Sequence, residues 1–177
     1  MASKSYVEIY VPLDPKEIWH SALKKYLSDV DVIWQNAYYH ITLAFVDDTP
    51  GDPEKITDLL KQRLTGMNAP VLIFDSINAF ATPSGLHFIT LTSSDIPESF
   101  VNTIKTIRQD ILDSGGRLES EFRLHVTLGR VKGNSISLDD LQTRLKEFEF
   151  SPIERTLTKV DFRRFRGEVI FETTLPV

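Results

Sequence analysis

The sequence predicts a two-lobed α+β fold whose halves are related by a pseudo-two-fold axis, with a cleft between the lobes. Two observations lead to this prediction. The order strand, helix, strand, helix occurs once in each half of the 177 residues, as hydrophobic periodicity indicates. A four-residue motif also occurs twice, starting at residues 40 and 125, about half the chain apart. With no long linker or low-complexity segment between the halves, we expect residues 1–177 to form a single domain.

In the first half, apolar and polar residues alternate near the N-terminus, which indicates a strand. Asp14 followed by Pro15 is typical of an N-cap and the first helical position, and apolar residues then recur at helical spacing. A run rich in Asp, Pro and Gly at 47–53 ends the next strand. The first half is therefore predicted to contain strands at 6–11 and 38–46 and helices at 15–28 and 53–64.

In the second half, the loop 81–85 contains Pro and Gly and predicts a hairpin between its flanking strands. The pair Gly115-Gly116 ends the third helix, and Arg166-Gly167 forms the turn of a closing hairpin. The second half is therefore predicted to contain strands at 71–80, 86–92, 122–131, 156–165 and 168–174 and helices at 95–112 and 138–148.

Composition excludes several classes of function. The chain has no cysteine, so disulfides and thiolate chemistry are excluded, and a net charge of −5 argues against holding long nucleic acids through many phosphates. A small phosphorylated ligand or one RNA end needs only a few local cations. No apolar run approaches the roughly 20 residues that cross a bilayer, and no signal peptide is visible. We therefore expect a cytoplasmic protein that does not bind membranes.

The repeated motif reads His-apolar-Thr-Leu and lies in strand-like runs. Residues i and i+2 of a strand share a face, so each copy presents one imidazole and one hydroxyl together. Roughly 0.3 His-x-Thr matches are expected by chance in such a chain. Two imidazoles across a cleft can remove a proton on one side of a reacting group and supply one on the other. The two copies are His40-Ile41-Thr42-Leu43 and His125-Val126-Thr127-Leu128.

On these residues the chain resembles the 2H phosphoesterase superfamily, most closely its 2′-5′ RNA ligase-like branch, over essentially its whole length. The continuations His-Ile-Thr-Leu-Ala-Phe and His-Val-Thr-Leu-Gly-Arg are typical of that branch. The resemblance implies antiparallel sheets with helices outside and a central cleft. It also implies a metal-independent enzyme that opens 2′,3′-cyclic phosphates of nucleotides or RNA ends to 2′-phosphates. Family members often have proline before the second histidine, where this chain has Arg123-Leu124.

The resemblance also implies roles for single residues. It makes His125 the base and His40 the acid, whereas the residues alone do not distinguish the two. The hydroxyls of Thr42 and Thr127 can donate hydrogen bonds to the non-bridging phosphate oxygens. Arg130 stands where relatives often place a phosphate contact, although simple alternation puts it on the face opposite Thr127.

Three further residues are candidates for the border of the cleft. Tyr38 and Tyr10 have the strand parity to stack on a base, and Arg123 has the parity to line the rim. The other two histidines are interpreted as structural. His20 is placed at the polar edge of the first helix, and His87 begins a strand and has no threonine at i+2.

Several alternatives stay open at this point. Catalytic zinc usually takes three protein ligands, and neither motif is accompanied by them, so no metal or cofactor is expected. The cleft could hold a phosphorylated nucleotide or an RNA end without turnover. It could also hydrolyse another phosphodiester, such as a 2′-5′ linkage or an ADP-ribose cyclic phosphate, or run in reverse as a ligase. The expected partner is a small nucleotide or RNA end, and the expected state is a monomer.

Overall fold

Antiparallel strands form two sheets in the computed structural model, which describes residues 4–36, 38–48 and 53–177. The strands are β1 (Ser5–Val11), β2 (Val32–Trp34), β3 (Tyr39–Asp48), β4 (Val71–Phe74), β5 (Ser76–Ala81), β6 (Leu86–Thr92), β7 (Arg117–Leu118), β8 (Val126–Lys132), β9 (Ile153–Thr156), β10 (Lys159–Arg164) and β11 (Val169–Thr174). The larger sheet has the order β11-β10-β1-β3-β8-β6-β5, with β2 paired to β8 and β7 paired to β3, while β4 and β9 form the smaller sheet.

The helices of the described residues bury their apolar faces in the same core as the larger sheet. Strand residues contribute to that core alternately, as Val7, Ile9 and Val11 of β1 do. The other face of the sheet carries the intervening side chains, including Tyr10, which is 38% exposed. None of these helices is long and apolar enough to span a membrane. They are α1 (Ile18–Tyr26), α2 (Glu54–Leu64), α3 (Glu98–Asp113) and α4 (Leu138–Glu147).

The larger sheet is symmetric about the junction of β3 and β8. On one side β3 is followed by β1 and β10, and on the other β8 is followed by β6 and β5. The halves also exchange short strands, since β2 of the first half pairs with β8 and β7 of the second half pairs with β3. This arrangement confirms the predicted pseudo-symmetric α+β fold with antiparallel sheets.

Two predicted strands are each divided in the structure. The run 71–80 is broken at Asp75, so that β4 leaves the larger sheet and pairs with β9, while β5 pairs with β6. The break is held by Asp75, whose side chain accepts hydrogen bonds from the backbone and the hydroxyl of Ser94. The run 156–165 is divided near its start, because Thr156 is the last residue of β9, a strand that the sequence analysis did not predict, and Lys159 begins β10. No glycine or proline marks either break.

Two other element boundaries differ from the prediction. Strand β8 begins at Val126, so His125 lies directly before it rather than inside it. Helix α1 begins at Ile18, and the predicted cap Asp14 instead opens a turn. In this turn Asp14 accepts from the backbone of Lys16, and Glu17 accepts from the backbone of Asp14. These bonds resemble a capping box one turn ahead of the helix, except that the Asp14 side chain accepts from the second residue after it and not from the third.

The prediction for His20 was wrong, because this side chain is fully buried rather than at a polar edge. Its ring stacks on Trp19 with the centroids 4.8 Å apart and meets the rings of Trp34 and Tyr39 edge-on. Burial lowers the pKa of His20 to about 4, since a charged imidazole loses its hydration in the core. The residue therefore belongs to the aromatic core.

His20 should make the fold sensitive to acid. Its pKa is about 6.5 in the unfolded chain and lower in the native state, so stability present above pH 6.5 is lost as the pH falls towards 4. Between pH 7.5 and pH 5, we expect the free energy of unfolding of the wild type to fall by about 2 kcal/mol more than that of His20→Phe. Urea denaturation of both proteins at the two pH values measures this. Equal losses would contradict it.

Candidate active site

The two motifs lie side by side, because β3 and β8 are antiparallel neighbours with Ile41 opposite Val126. Both of these side chains are fully buried. Continuing the register by one residue in each direction places His40 opposite Thr127 and His125 opposite Thr42 on the other face of the sheet. Each imidazole is thereby brought beside the threonine of the other motif.

A β-bulge follows each motif, and the two bulges occur at equivalent leucines. Between β1 and β3 the pairing passes over Leu43, and between β6 and β8 it passes over Leu128. The carbonyl oxygen of Leu43 accepts a hydrogen bond from the Arg108 guanidinium at 3.1 Å. That of Leu128 accepts one from the backbone N–H of Gln35 at 2.9 Å. An extra residue reverses the alternation beyond it. Side chains after each bulge are therefore on the opposite face from the one that simple alternation predicts.

Arg130 reaches the face of the motif histidines because of this bulge. It pairs with Phe88, and its guanidinium lies 5.3 Å from the centre of that ring. Its charge contributes to lowering the pKa of His40. The placement by simple alternation was therefore wrong, and the structure brings Arg130 towards the two motifs. Phe45 returns to the same face after the first bulge and packs on Tyr6 with a centroid separation of 4.5 Å.

His125 is oriented by a backbone carbonyl group two residues earlier in the chain. Its Nδ1 lies 2.9 Å from the carbonyl oxygen of Arg123. A carbonyl oxygen can only accept, so Nδ1 carries the proton of the neutral ring and Nε2 carries the lone pair. Burial lowers the pKa of His125, and the Arg123 charge acts in the same direction. His125 is thus held in the form that can accept a proton at Nε2.

His40 has a different environment. Its Nε2 lies 3.4 Å from Oε1 of Glu8, a carboxylate with a 5% exposed side chain. Burial lowers the pKa of His40, and the charges of Arg163 and Arg130 add to this shift. Burial also raises the pKa of Glu8. A half-buried imidazole and a buried carboxylate are therefore in contact, although burial disfavours the charged form of each, and the two groups titrate as a pair.

The three border candidates occupy different positions. Tyr10 lies opposite His40 and is exposed. The ring of Tyr38 lies 5.1 Å from that of His40, but its hydroxyl is engaged, donating to Glu8 over 2.8 Å. Arg123 is exposed and stacks on Phe80 at 4.4 Å. Tyr10 and Arg123 therefore present free surface, whereas Tyr38 is held in a hydrogen-bonded chain.

Two cavities adjoin the motifs. One of about 260 Å³ lies beside His40 and is bordered by both candidate tyrosines. The other, of about 620 Å³, lies beside His125 and Thr42 and is lined by aromatic rings and by two arginines, Arg108 and Arg123. The space around the motif histidines therefore extends in two directions, and each cavity is lined by both acidic and basic side chains.

Sequence reasoning missed several residues around the motifs. Glu8 shares strand parity with Tyr10, so its position could have been predicted, but its partner could not. Arg163 lies in a predicted strand to which no role in the site was assigned, and here it donates to the Tyr38 hydroxyl. Phe80 was counted as a strand residue, and its ring meets the edge of the His125 ring at 5.1 Å. His87 lies apart from these residues and is buried.

Among residues 4–36, 38–48 and 53–177, no three histidine or carboxylate side chains are placed to hold a metal ion together. The chemistry that these residues offer is two imidazoles in different protonation environments, two hydroxyls, and a guanidinium on one face of the sheet.

This combination of fold and motifs defines the class of the protein. The family model of the 2′-5′ RNA ligase superfamily matches residues 15–168. The chain belongs to this superfamily, and the predicted resemblance is confirmed. No curated protein sequence matches the chain.

Solved structures share the fold at low sequence identity. E. coli LigT complexed with 3′-AMP has a TM-score of 0.64 at 16% identity, and the similarity covers 99% of both chains. Kluyveromyces marxianus Usb1 has a TM-score of 0.68 at 9% identity, again over 99% of both chains. The MHV ns2 PDE domain has a TM-score of 0.54 at 9% identity, over 92% of this chain and 99% of that one.

Arg130 gives the site a test that needs no substrate. We expect Arg130→Gln to weaken binding of inorganic phosphate about tenfold, because a charge-assisted hydrogen bond is lost. Isothermal titration calorimetry at low ionic strength measures the dissociation constant. Lys146→Gln removes one positive charge from the exposed side of α4 and serves as the matched control. Equal affinities for the two variants would show that Arg130 does not contact the anion.

Proposed function

We propose that this chain is a metal-independent phosphodiesterase that opens 2′,3′-cyclic phosphates of nucleotides or RNA ends, giving 2′-phosphates. The observation that carries the proposal is the crossed arrangement of the two motifs, in which each histidine lies opposite the threonine of the other strand. A phosphate between β3 and β8 would then have a proton-transferring group and a hydrogen-bond donor on each side.

The two imidazoles supply the proton transfers. Water attacks phosphorus in line with the bond to the ribose 3′-oxygen, and His125 Nε2 takes a proton from that water. The bond from phosphorus to the 3′-oxygen breaks, and His40 gives its proton to this oxygen. The product is a 2′-phosphate with a free 3′-hydroxyl. Exchange with solvent returns a proton to His40 and removes one from His125. Paired acid and base catalysis of this kind operates near neutral pH.

Charge on the phosphate is met by fixed donors. The Thr42 and Thr127 hydroxyls donate to the non-bridging oxygens, and the Arg130 guanidinium supplies a positive charge on the same face. Donors already in position stabilise the charge that spreads over these oxygens in the transition state. The placement of Arg130 by the second bulge supports this role.

The ligands of similar structures support a small substrate. E. coli LigT has been crystallised with 3′-AMP and with ATP. The net charge of −5 favours a nucleotide or a short RNA end over a long nucleic acid. The exposed ring of Tyr10 borders the cavity beside His40 and is placed to stack on a base.

Ligation is the second candidate function, and the superfamily description favours it. In this reaction a 5′-hydroxyl would attack the phosphorus of a 2′,3′-cyclic end in place of water. The 3′-oxygen would leave and a 2′-5′ linkage would form. The second cavity, with Arg108 and Arg123, lies on the His125 side, where the attacking group enters. Incubation with an RNA pair bearing these ends, followed by electrophoresis, separates joining from hydrolysis.

Hydrolysis of 2′,3′-cyclic AMP and 2′,3′-cyclic UMP in excess EDTA tests the leading proposal. We expect His40→Ala and His125→Ala each to lower kcat/KM by about 10²- to 10⁴-fold, because each removes one proton-transfer group. Product formation is followed by reversed-phase chromatography, which also identifies the 2′-phosphate.

His87→Asn is the matched control, since it replaces a histidine outside the motifs, and circular dichroism checks that every variant is folded. Wild-type rates in both motif variants would rule out the mechanism. Activity only after addition of a divalent metal would contradict it, and a folded wild-type chain that leaves both cyclic nucleotides intact would contradict the proposed substrate.

A further inference from the structure

The two half-sites are equivalent in backbone but differ in one carboxylate. Strands β1 and β3 and strands β6 and β8 pair in the same register, including the bulge, with Glu8 opposite Thr42 and Thr90 opposite Thr127. Glu8 and Thr90 are therefore equivalent positions. The first half has a buried carboxylate where the second half has a hydroxyl, which donates to the Asn78 carbonyl group.

A directed chain of hydrogen bonds holds Glu8. The Arg163 guanidinium donates to the hydroxyl oxygen of Tyr38, and the Tyr38 hydroxyl donates to Oε2 of Glu8 over 2.8 Å. Arginine has no acceptor and the tyrosine hydroxyl has one hydrogen, so this direction is the one allowed. Oε2 is thereby used as an acceptor, and Oε1 is left facing His40 Nε2 at 3.4 Å.

We propose that Glu8 is a positioning residue that keeps a proton on His40 Nε2 and thereby makes His40 the proton donor of the pair. This inference rests on the proposed function and deepens it. His40 has a carboxylate beside Nε2, whereas His125 has a backbone carbonyl group beside Nδ1. The proton of neutral His125 is therefore on Nδ1, and its Nε2 keeps the lone pair. The difference between Glu8 and Thr90 thus assigns opposite tasks to two histidines with equivalent backbone positions.

The charges around His40 show why a carboxylate is needed. Arg163 of β10 and Arg130 of β8 both lower the pKa of His40, and Asp161 of β10 raises it, while burial is the largest effect. His40 and His125 also repel one another when charged, as the lowered pKa of His125 reflects. Glu8 is the carboxylate in direct contact with Nε2. Farther along the same cavity, Lys159 is paired with Glu172 at 3.1 Å. Burial and two cations favour the neutral form of His40, and the Glu8 carboxylate at 3.4 Å opposes them.

Imidazole nitrogen NMR tests this inference directly. In ¹⁵N-labelled protein, the His40 signals are assigned by their loss in His40→Gln and followed from pH 4 to 9. We expect Glu8→Gln to move the protonation midpoint of His40 to lower pH by roughly 1–2 units, as removal of an adjacent opposite charge does. Glutamine keeps the carbonyl oxygen that accepts from Tyr38, so the variant changes charge more than shape.

Two further variants complete the experiment. Glu147→Gln removes an exposed negative charge from α4 and should leave the His40 midpoint in place. Tyr38→Phe keeps the Glu8 carboxylate but removes the hydrogen bond that holds it. The His40 midpoint should therefore move to lower pH by less than in Glu8→Gln. Coincident midpoints for wild type and Glu8→Gln, or an equal shift in Glu147→Gln, would overturn the proposal. An unmoved His40 midpoint in Tyr38→Phe would contradict the role of the Tyr38 hydroxyl in holding Glu8.

A kinetic readout separates this role from a purely structural one. In Glu8→Gln, the basic limb of the kcat/KM profile should move to lower pH by the same interval as the NMR midpoint, because that limb reports loss of the acid's proton. A uniform fall in rate with an unmoved limb would contradict the assignment. The NMR titration needs no substrate, so a chain that hydrolyses no cyclic nucleotide would refute the proposed function while the Glu8 test still gave an answer.

Discussion

The pairing of β3 with β8 at Ile41 and Val126 is the contact on which the geometry of the site depends. Both side chains are fully buried, so their neighbours are forced to the other face of the sheet. The strands are antiparallel, so the neighbours meet crosswise, histidine beside threonine. If one of the two strands slipped by one residue, its imidazole would be buried and its apolar side chain exposed. The hydrophobic core therefore fixes the placement of the polar groups that we propose to act on phosphate.

The chemistry that we propose also requires a departure from symmetry. Matching bulges at Leu43 and Leu128 keep the backbones of the halves equivalent, yet the side chains that return to the shared face are Phe45 in one half and Arg130 in the other. One half thereby contributes aromatic surface and the other a cation. Glu8 adds a second difference, next to one histidine. A symmetric scaffold thus carries two imidazoles in different electrostatic environments, which suits a reaction that takes one proton and gives another.

The parts of this arrangement that follow from local pattern could be predicted from the sequence. The repeated motif and the hydrophobic periodicity predicted the fold class, the four helices found among the described residues and the face shared by His40 and Thr42. Features set by long-range pairing could not be predicted. The face of Arg130 depends on a bulge that appears only when β8 meets β6, and the contact of Glu8 with His40 depends on the register of β1 against β3. The burial of His20 likewise required Trp34 and Tyr39 to close over it.

A crystal structure with bound phosphate would show whether the two motifs act together on one anion. We expect one phosphate on the face shared by the two motifs. Its oxygens should lie within about 2.7–3.2 Å of Nε2 of both motif histidines and of the hydroxyls of Thr42 and Thr127. A phosphate that contacts one motif alone, or that occupies either cavity while the space between β3 and β8 stays empty, would contradict it.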